Sequence, residues 1–428
     1  MQTISVPQTI LDRPNKDHHG FYTVGDFKTY SKLEAIELSV RLGQPVIWNY
    51  NKSVFEKIDW TQEPPGSLDL YYRQRALQLR EKYDYLVLWY SGGSDSHNVL
   101  MSFVKNNIFV DEIVQYHQLE AANGDKKFSC NLEQFATSIP ITQSLIENNP
   151  LYKNTVHRVI DFTEYKIQLF TDKQILDKWW YNQNDMYSVQ SYALMSIKYL
   201  YPAYRQIRDS GKKFCFVWGA DKPFMSMDQQ HQLNFSFLDG SFSAMINPEH
   251  KISNESWDHD ELFYWTPDFP ELPVKQAHVI KNYIDKFTDQ HADGHFVKKG
   301  KITHDQYGQY QDRINLPYCV FWKNNQCYTM MLDGARKLLY PYWNPNSIVK
   351  PIAPSPFFTD NDVGFINTNT PVQESRQIYL KGLVHLKQWM QKNAPQYWYD
   401  FKYDPKVAPF KGGMKLFYNS YSLARSNQ

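Results

Sequence analysis

The 428-residue sequence predicts an α/β fold: a twisted parallel sheet with helices on both faces, an N-terminal extension before it and a mixed region after it. Three observations predict this. Strand-like apolar segments alternate with helical patterns between residues 81 and 225, as β–α–β crossovers require. The first such segment, Tyr85-Leu86-Val87-Leu88-Trp89-Tyr90, runs directly into a turn, Ser91-Gly92-Gly93-Ser94-Asp95-Ser96. After the turn, Val99, Leu100, Phe103 and Val104 fall on one helical face.

The elements follow in order. Residues 1–80 read as an α+β extension, with a helix over 30–42, a short strand at Val46-Ile47-Trp48 and a break at Pro64-Pro65-Gly66. A helix over 70–82 then carries Arg73, Arg75, Arg80 and Lys82 on its polar side. The core spans 81–225. Its further strands are predicted at 111–116, 155–161 and 213–218, with helices at 132–148 and 187–209 between them. Residues 226–428 form a substrate or accessory region of irregular pattern. Within it the spacing predicts a helix over 274–287, a hairpin pairing 319–322 with 326–331, and a helix over 377–393.

Composition narrows the function classes. The 46 basic residues balance 45 acidic ones, so nothing favours a long nucleic-acid track, and nucleic acid is not indicated as a partner. No run of about 18 apolar residues predicts a membrane span. The first twenty residues lack a basic segment followed by an apolar one, so no signal peptide is expected. Four cysteines, none in a CxxC pair, fit a reducing cytoplasm.

The turn at 91–96 carries the chemistry. Two glycines let backbone N–H groups approach an anion, the serines add hydroxyl donors, and the following helix adds positive potential at its N-terminus. Asp95 makes sense beside a phosphate when a divalent cation lies between them, since Mg²⁺ takes one or two carboxylates with phosphate oxygens. A Walker loop, GxxxxGK[ST], is absent from the sequence.

With SGGSDS placed after an apolar strand, the chain resembles the PP-loop ATP pyrophosphatases, a group that includes asparagine synthetase, GMP synthetase, NAD synthetase and the sulfate-assimilation reductases. The resemblance covers residues 82–223 and is motif-grade at 91–96. It implies a HUP-type (adenine nucleotide α-hydrolase-like) sheet. It also implies that Ser91, Gly92, Gly93, Ser94, Asp95 and Ser96 bind the β- and γ-phosphates of ATP, with Asp95 on Mg²⁺. Trp218-Gly219-Ala220-Asp221-Lys222 occupies the position of the family's second turn. There Gly219 would lie near the nucleotide, Asp221 would be a second metal ligand, and Lys222 would neutralise leaving pyrophosphate. Tyr116, at the end of the second strand, either packs against adenine or is a core aromatic.

The implied activity is that of an AMP-forming ligase closest to the asparagine synthetase branch. It would adenylate a carboxylate or carbonyl of a small-molecule or nucleoside acceptor, and a nitrogen nucleophile would then displace AMP. Gln2 stands where that branch carries its nucleophilic cysteine, so nitrogen would arrive as ammonia, as a substrate amine or from a partner subunit. A homodimer is left open. Two alternatives remain. One is a sulfur-transfer or PAPS-reductase-like enzyme of the same group, for which Cys319 and Cys327 could meet across the hairpin. The other is a non-catalytic ATP-binding module.

Overall fold

A computed structural model describes residues 20–117, 119, 131, 133–161, 163, 202–219, 224–227, 232–239, 260–290, 320–323, 326–329, 339–342, 384–399, 413–414 and 417–424. The chain opens with β1 (Phe21–Val24) and β2 (Phe27–Thr29), then α1 (Lys32–Leu42), β3 (Ile47–Asn49), α2 (Lys52–Phe55) and α3 (Leu68–Lys82). Local chemistry sets the helix ends. Ser31 caps α1 by accepting from the Glu34 N–H at 3.3 Å, and Gly43 closes it in the left-handed conformation at φ 65°. Ser67 caps α3, whose Leu68, Tyr71, Tyr72, Ala76 and Leu79 share one buried face.

The core follows with β4 (Tyr85–Trp89), α4 (Ser94–Val104) and β5 (Glu112–His117). A π-helical turn at Gln134–Ser138 leads into α5 (Ile139–Asn148), and β6 (Val156–Asp161), α6 (Pro202–Asp209) and β7 (Phe214–Trp218) come next. Beyond them lie β8 (Phe224–Met227), β9 (Leu233–Leu238), β10 (Asp260–Leu262) and α7 (Glu271–Gln290). The last elements are β11 (Val320–Lys323), β12 (Gln326–Thr329), α8 (384–393), β13 (Trp398–Tyr399), β14 (Gly413–Met414) and β15 (Tyr418–Ser422).

Five strands make an all-parallel sheet in the order β10-β7-β4-β5-β6. Helices cover both faces. Tyr204 of α6 reaches Glu112 on one face, while Gln115 on the other bonds Thr142 of α5. The architecture is α/β and compatible with a Rossmann-like fold. The expected strands at 85–90, 111–116, 155–161 and 213–218 are present. The predicted helix over 187–209 is described only from Pro202 onward.

Two differences have a clear physical cause. The fifth parallel strand, β10, comes from residues past 225, where the sequence predicts no strand at 260–262. Asp260 accepts from Trp218 Nε1 at 2.8 Å, and Glu261 pairs with Arg75 at 2.8 Å. Arg75 is therefore not on the polar side of α3. Fully buried, it also donates to the carbonyls of Leu262 and Phe263. Burial works against the Glu261 carboxylate, yet Arg75, Lys82 and the Tyr83 hydroxyl hold it down at about 2.

A second five-stranded sheet, β11-β12-β8-β9-β15, is antiparallel, and the expected hairpin is its β11–β12 pair. The N-terminal segment, which carries the sheet β2-β1-β3, packs on it through aromatic rings of α2 and the turn after it. Trp60 stacks on Phe235 and on Tyr421 at 4.9 and 4.7 Å, and Phe55 meets Phe237 at 4.4 Å. Among the described residues, no helix is long and apolar enough to cross a membrane.

Candidate functional site

In the parallel sheet the chain runs outward from β4 through β5 to β6, then returns to the other side of β4 with β7 and β10. The carboxyl ends of β4 and β7 are therefore the switch point at which open α/β sheets receive ligands. Residues 91–96 leave β4 at that point, and Gly219 leaves β7 beside them.

Sequence explains the tightness of the turn. Gly92 sits at φ 84°, and a Cβ there would meet the Ser138 backbone nitrogen and Cβ at 3.1 Å. A Cβ on Gly93 would come within 3.2 Å of Glu133 Oε1. A Cβ on Gly219 would lie 2.8 Å from Ser96 Cα. Glycine at these three positions lets the π-helical turn and the end of β7 close against the first turn of α4. The π-helical turn is itself tied down. Gln134 Nε2 donates to the Ser91 carbonyl at 3.3 Å, Ser138 Oγ donates to Gln134 Oε1 at 2.6 Å, and Gln115 Nε2 reaches the Ser138 carbonyl at 3.4 Å.

Inside the turn, Ser91 Oγ and Ser96 Oγ share a hydrogen bond at 3.0 Å. Ser96 Oγ also reaches the Gly93 carbonyl at 3.1 Å, and the Gly93 N–H donates to Ser91 Oγ at 3.3 Å. The first bond of α4 runs from the His97 N–H to the Gly93 carbonyl at 2.8 Å, so the three preceding N–H groups have no intrahelical acceptor. Ser94 Oγ is buried with no hydrogen-bond partner. A buried hydroxyl left unmet at a helix N-terminus is what an anion-binding turn presents.

Asp95 is half-buried. Its main-chain carbonyl accepts from Tyr264 Oη at 2.8 Å, and its carboxylate lies beside the hydroxyl of Tyr340. Burial first, then the Asp95 charge, drives the Tyr340 hydroxyl far above its usual range; Tyr72 and Tyr264 respond in the same direction. Under the turn, His97 Nδ1 meets Tyr90 Oη at 2.9 Å, and burial lowers the imidazole's proton affinity. Glu133 brings a second carboxylate to the turn, beside Gly93 and near Tyr90.

An aromatic platform adjoins the turn. Trp89 and Trp218, at the ends of β4 and β7, stack at 4.8 Å with 9° between planes, and the half-buried Tyr116 ring lies 5.8 Å from Trp89. Trp89 Nε1 is buried without a partner. Of the residues the sequence singles out, Ser91 to Ser96, Gly219 and Tyr116 thus gather at one sheet edge. Asp221 and Lys222 lie outside the described residues, as does Cys319; of Cys327 only its backbone place in β12 is described. Among the described residues no three or more His, Cys, Asp or Glu side chains group as a metal site. Sequence reasoning missed Glu133, Gln134, Tyr264 and Tyr340, because their proximity to the turn depends on tertiary packing, and passed over Asn98, two residues past the turn on α4, because no motif marks it.

Comparison with protein-family models, curated proteins and solved structures found no match to this chain.

Proposed function

We propose that the protein is an ATP-dependent, AMP-forming ligase of the PP-loop pyrophosphatase type with a HUP-like core. The observation that carries the reading is the SGGSDS turn at the switch point of the parallel sheet, with Ser94 Oγ buried and unmet at the start of α4. Glycine at 92 and 219 supports it, because a side chain at either would press on the backbone around the turn.

The residues suit a triphosphate. The turn's N–H groups and the hydroxyls of Ser91, Ser94 and Ser96 would bind the β- and γ-phosphates of ATP, and the half-buried Tyr116, beside the buried Trp89–Trp218 stack, would offer its ring to adenine. Asp95, with Glu133 across the turn, suits a hard cation that shares phosphate oxygens. Bound Mg²⁺ would supply charge neutralisation for the departing pyrophosphate.

A carboxylate or carbonyl oxygen of the acceptor attacks the α-phosphorus. The bond from that phosphorus to the β-bridging oxygen breaks, and pyrophosphate leaves with the electron pair. A nitrogen nucleophile then bonds to the activated carbon, loses a proton, and AMP departs. The chain's contribution is placement and charge stabilisation. The sulfur-transfer alternative draws no support from Cys215, which is fully buried with its thiol pushed well above its usual range by that burial.

The test is pyrophosphate release from ATP and magnesium across pools of carboxylates, amino acids and nucleosides, with and without ammonia. Asp95→Ala should abolish release while the protein stays folded, and Ser96→Ala should weaken ATP binding by roughly 1.5–3 kcal/mol. Wild-type turnover by Asp95→Ala would refute the role given to Asp95. ATP binding without release in any pool would favour the non-catalytic module.

A further inference from the structure

A trans peptide is planar, so its carbonyl and the N–H that follows point in opposite directions. The peptide between Ser91 and Gly92 heads the turn. Gly92 sits at φ 84°, and glycine adopts either sign of φ, so the backbone itself does not choose between the two orientations of that peptide. In the structure the Ser91 carbonyl faces Gln134 of the π-helical turn, which donates to it through Nε2 at 3.3 Å. The Gly92 N–H therefore points away from the π-helical turn, and it meets no acceptor among the described residues. Reversal would put a carbonyl in its place, and a carbonyl repels an anion.

Gln134 is itself held. The Ser91 carbonyl can only accept, so the Gln134 amide must face it with NH₂, and its oxygen then accepts from Ser138 Oγ at 2.6 Å. The same logic continues behind Ser138. Its carbonyl accepts from Gln115 Nε2 at 3.4 Å and from the Thr142 hydroxyl at 2.9 Å, and Gln115 Nε2 also donates to Thr142 Oγ1 at 2.6 Å. Gln115 Oε1 is left to accept from His157 Nε2, 2.5 Å away, so the imidazole carries a proton on that nitrogen. Gln115, Gln134, Ser138 and Thr142 are buried, and every polar side-chain atom they carry is bonded. Their donors and acceptors fit in one arrangement, which makes Gln134 a rigid hold on the turn.

We propose that Gln134 is a positioning residue for the phosphate site: it holds the Ser91 carbonyl back so that the Gly92 N–H is presented to the bound phosphate. The inference rests on reading residues 91–96 as that site. It gives a residue outside the SGGSDS motif the choice between an anion-accepting and an anion-repelling turn.

The test is nuclear magnetic resonance on the full chain, labelled with ¹³C at serine carbonyls and ¹⁵N at glycine. Only Ser–Gly peptides are then selected, and the sequence has two, Ser91–Gly92 and Ser210–Gly211. Inorganic pyrophosphate with magnesium should move the Gly92 amide proton saturably downfield. Gly211, before the start of β7 and so at the opposite edge of the sheet, should stay in place. Gln134→Met keeps the side-chain length and loses the donor. It should weaken pyrophosphate binding about tenfold or more, as for one lost hydrogen bond to a charged group, and abolish the Gly92 shift. Thr142→Val breaks the same buried network away from Ser91, so it should lower Tm yet keep both the affinity and the shift. Should Gln134→Met fail to fold, Gln134→Glu, which accepts from Ser138 but cannot donate to Ser91, should also lose the shift at saturating pyrophosphate. Pyrophosphate that binds the wild-type protein without moving Gly92, or a Thr142→Val protein that loses affinity as Gln134→Met does, overturns the positioning role. Pyrophosphate release from ATP with Gly92 unmoved removes that role and leaves the ligase reading standing. A shift that Gln134→Met abolishes, with no release from ATP in any acceptor pool, supports the role and refutes the ligase reading.

Discussion

Gly219→Ala is a sharp test of the site's construction. The added methyl would sit 2.8 Å from Ser96 Cα, 3.0 Å from Val99 Cγ2 and 3.1 Å from the Ser96 nitrogen. Carbon atoms rest about 3.5–4.0 Å apart, so the end of β7 and the first turn of α4 must separate by roughly 0.7 Å or more. Two of the three opposing atoms are backbone and cannot rotate away. Overpacking of this kind costs about 1–3 kcal/mol of stability. The displaced first turn is the proposed phosphate site, so losing the alignment of one charge-assisted hydrogen bond should weaken ATP binding about tenfold or more. Urea unfolding and equilibrium ATP titration with magnesium read the two effects. Gly43→Ala is the control: at φ 65° with open space around it, it should cost about 1–2 kcal/mol of backbone strain and leave ATP affinity unchanged. A Gly219→Ala protein with wild-type stability and wild-type ATP affinity would refute the close packing of β7 on α4.

Other expectations follow from the same contacts. Ser94→Ala removes a buried hydroxyl that meets nothing, so unfolding should show no loss of stability, whereas ATP affinity should fall; a clear loss of stability would show that the hydroxyl has an internal partner. Arg75→Leu removes the fully buried cation paired with Glu261, leaving Lys82 and the Tyr83 hydroxyl, and should destabilise by about 3 kcal/mol in denaturant titrations, an effect absent if the carboxylate is solvated. Because the folded-state value for Glu261 lies below its ordinary 4.5, its contribution is complete above that pH and lost as pH falls toward 2. The loss is ~3 kcal/mol, and acid titration of Glu261→Gln should lack that component. Native Cys215 should resist alkylation until the sheet unfolds; rapid labelling of the folded protein would contradict its burial.

The parts legible in the sequence were those set by short-range pattern. Continuous apolar runs marked β4 and β7, because strands buried on both faces need no polar alternation. Glycines and serines after β4 marked the turn, because backbone conformation and helix capping restrict residue choice there. The illegible parts depend on partners far along the chain. Asp260 and Glu261 interrupt any apolar strand pattern, and their partners Trp218 and Arg75 are brought near only by folding. Arg75 follows Tyr72 by three residues and precedes Leu79 by four, so helical spacing already placed it on the buried face; its charge masked the signal. Glu133 and Gln134 have no local motif, and their approach to the turn follows from where the π-helical turn docks.

One side chain of strand β15 ties down the end of β3. Asn419 Oδ1 accepts from the Tyr50 N–H at 2.7 Å, and its Nδ2 donates to the Trp48 carbonyl at 2.6 Å. During synthesis, residues 20–60 therefore meet Phe235 and Phe237 of β9 first, and their aromatic side is completed only when the ribosome has made β15 with Tyr421. Four of the five strands of the parallel sheet need no such delay, since β4 to β7 are complete by residue 218 and β10 follows by residue 262. A nascent chain halted between those two points would carry a nucleotide-site scaffold beside an unfinished, sticky amino-terminal segment, which makes that interval the one where chaperone contact matters most.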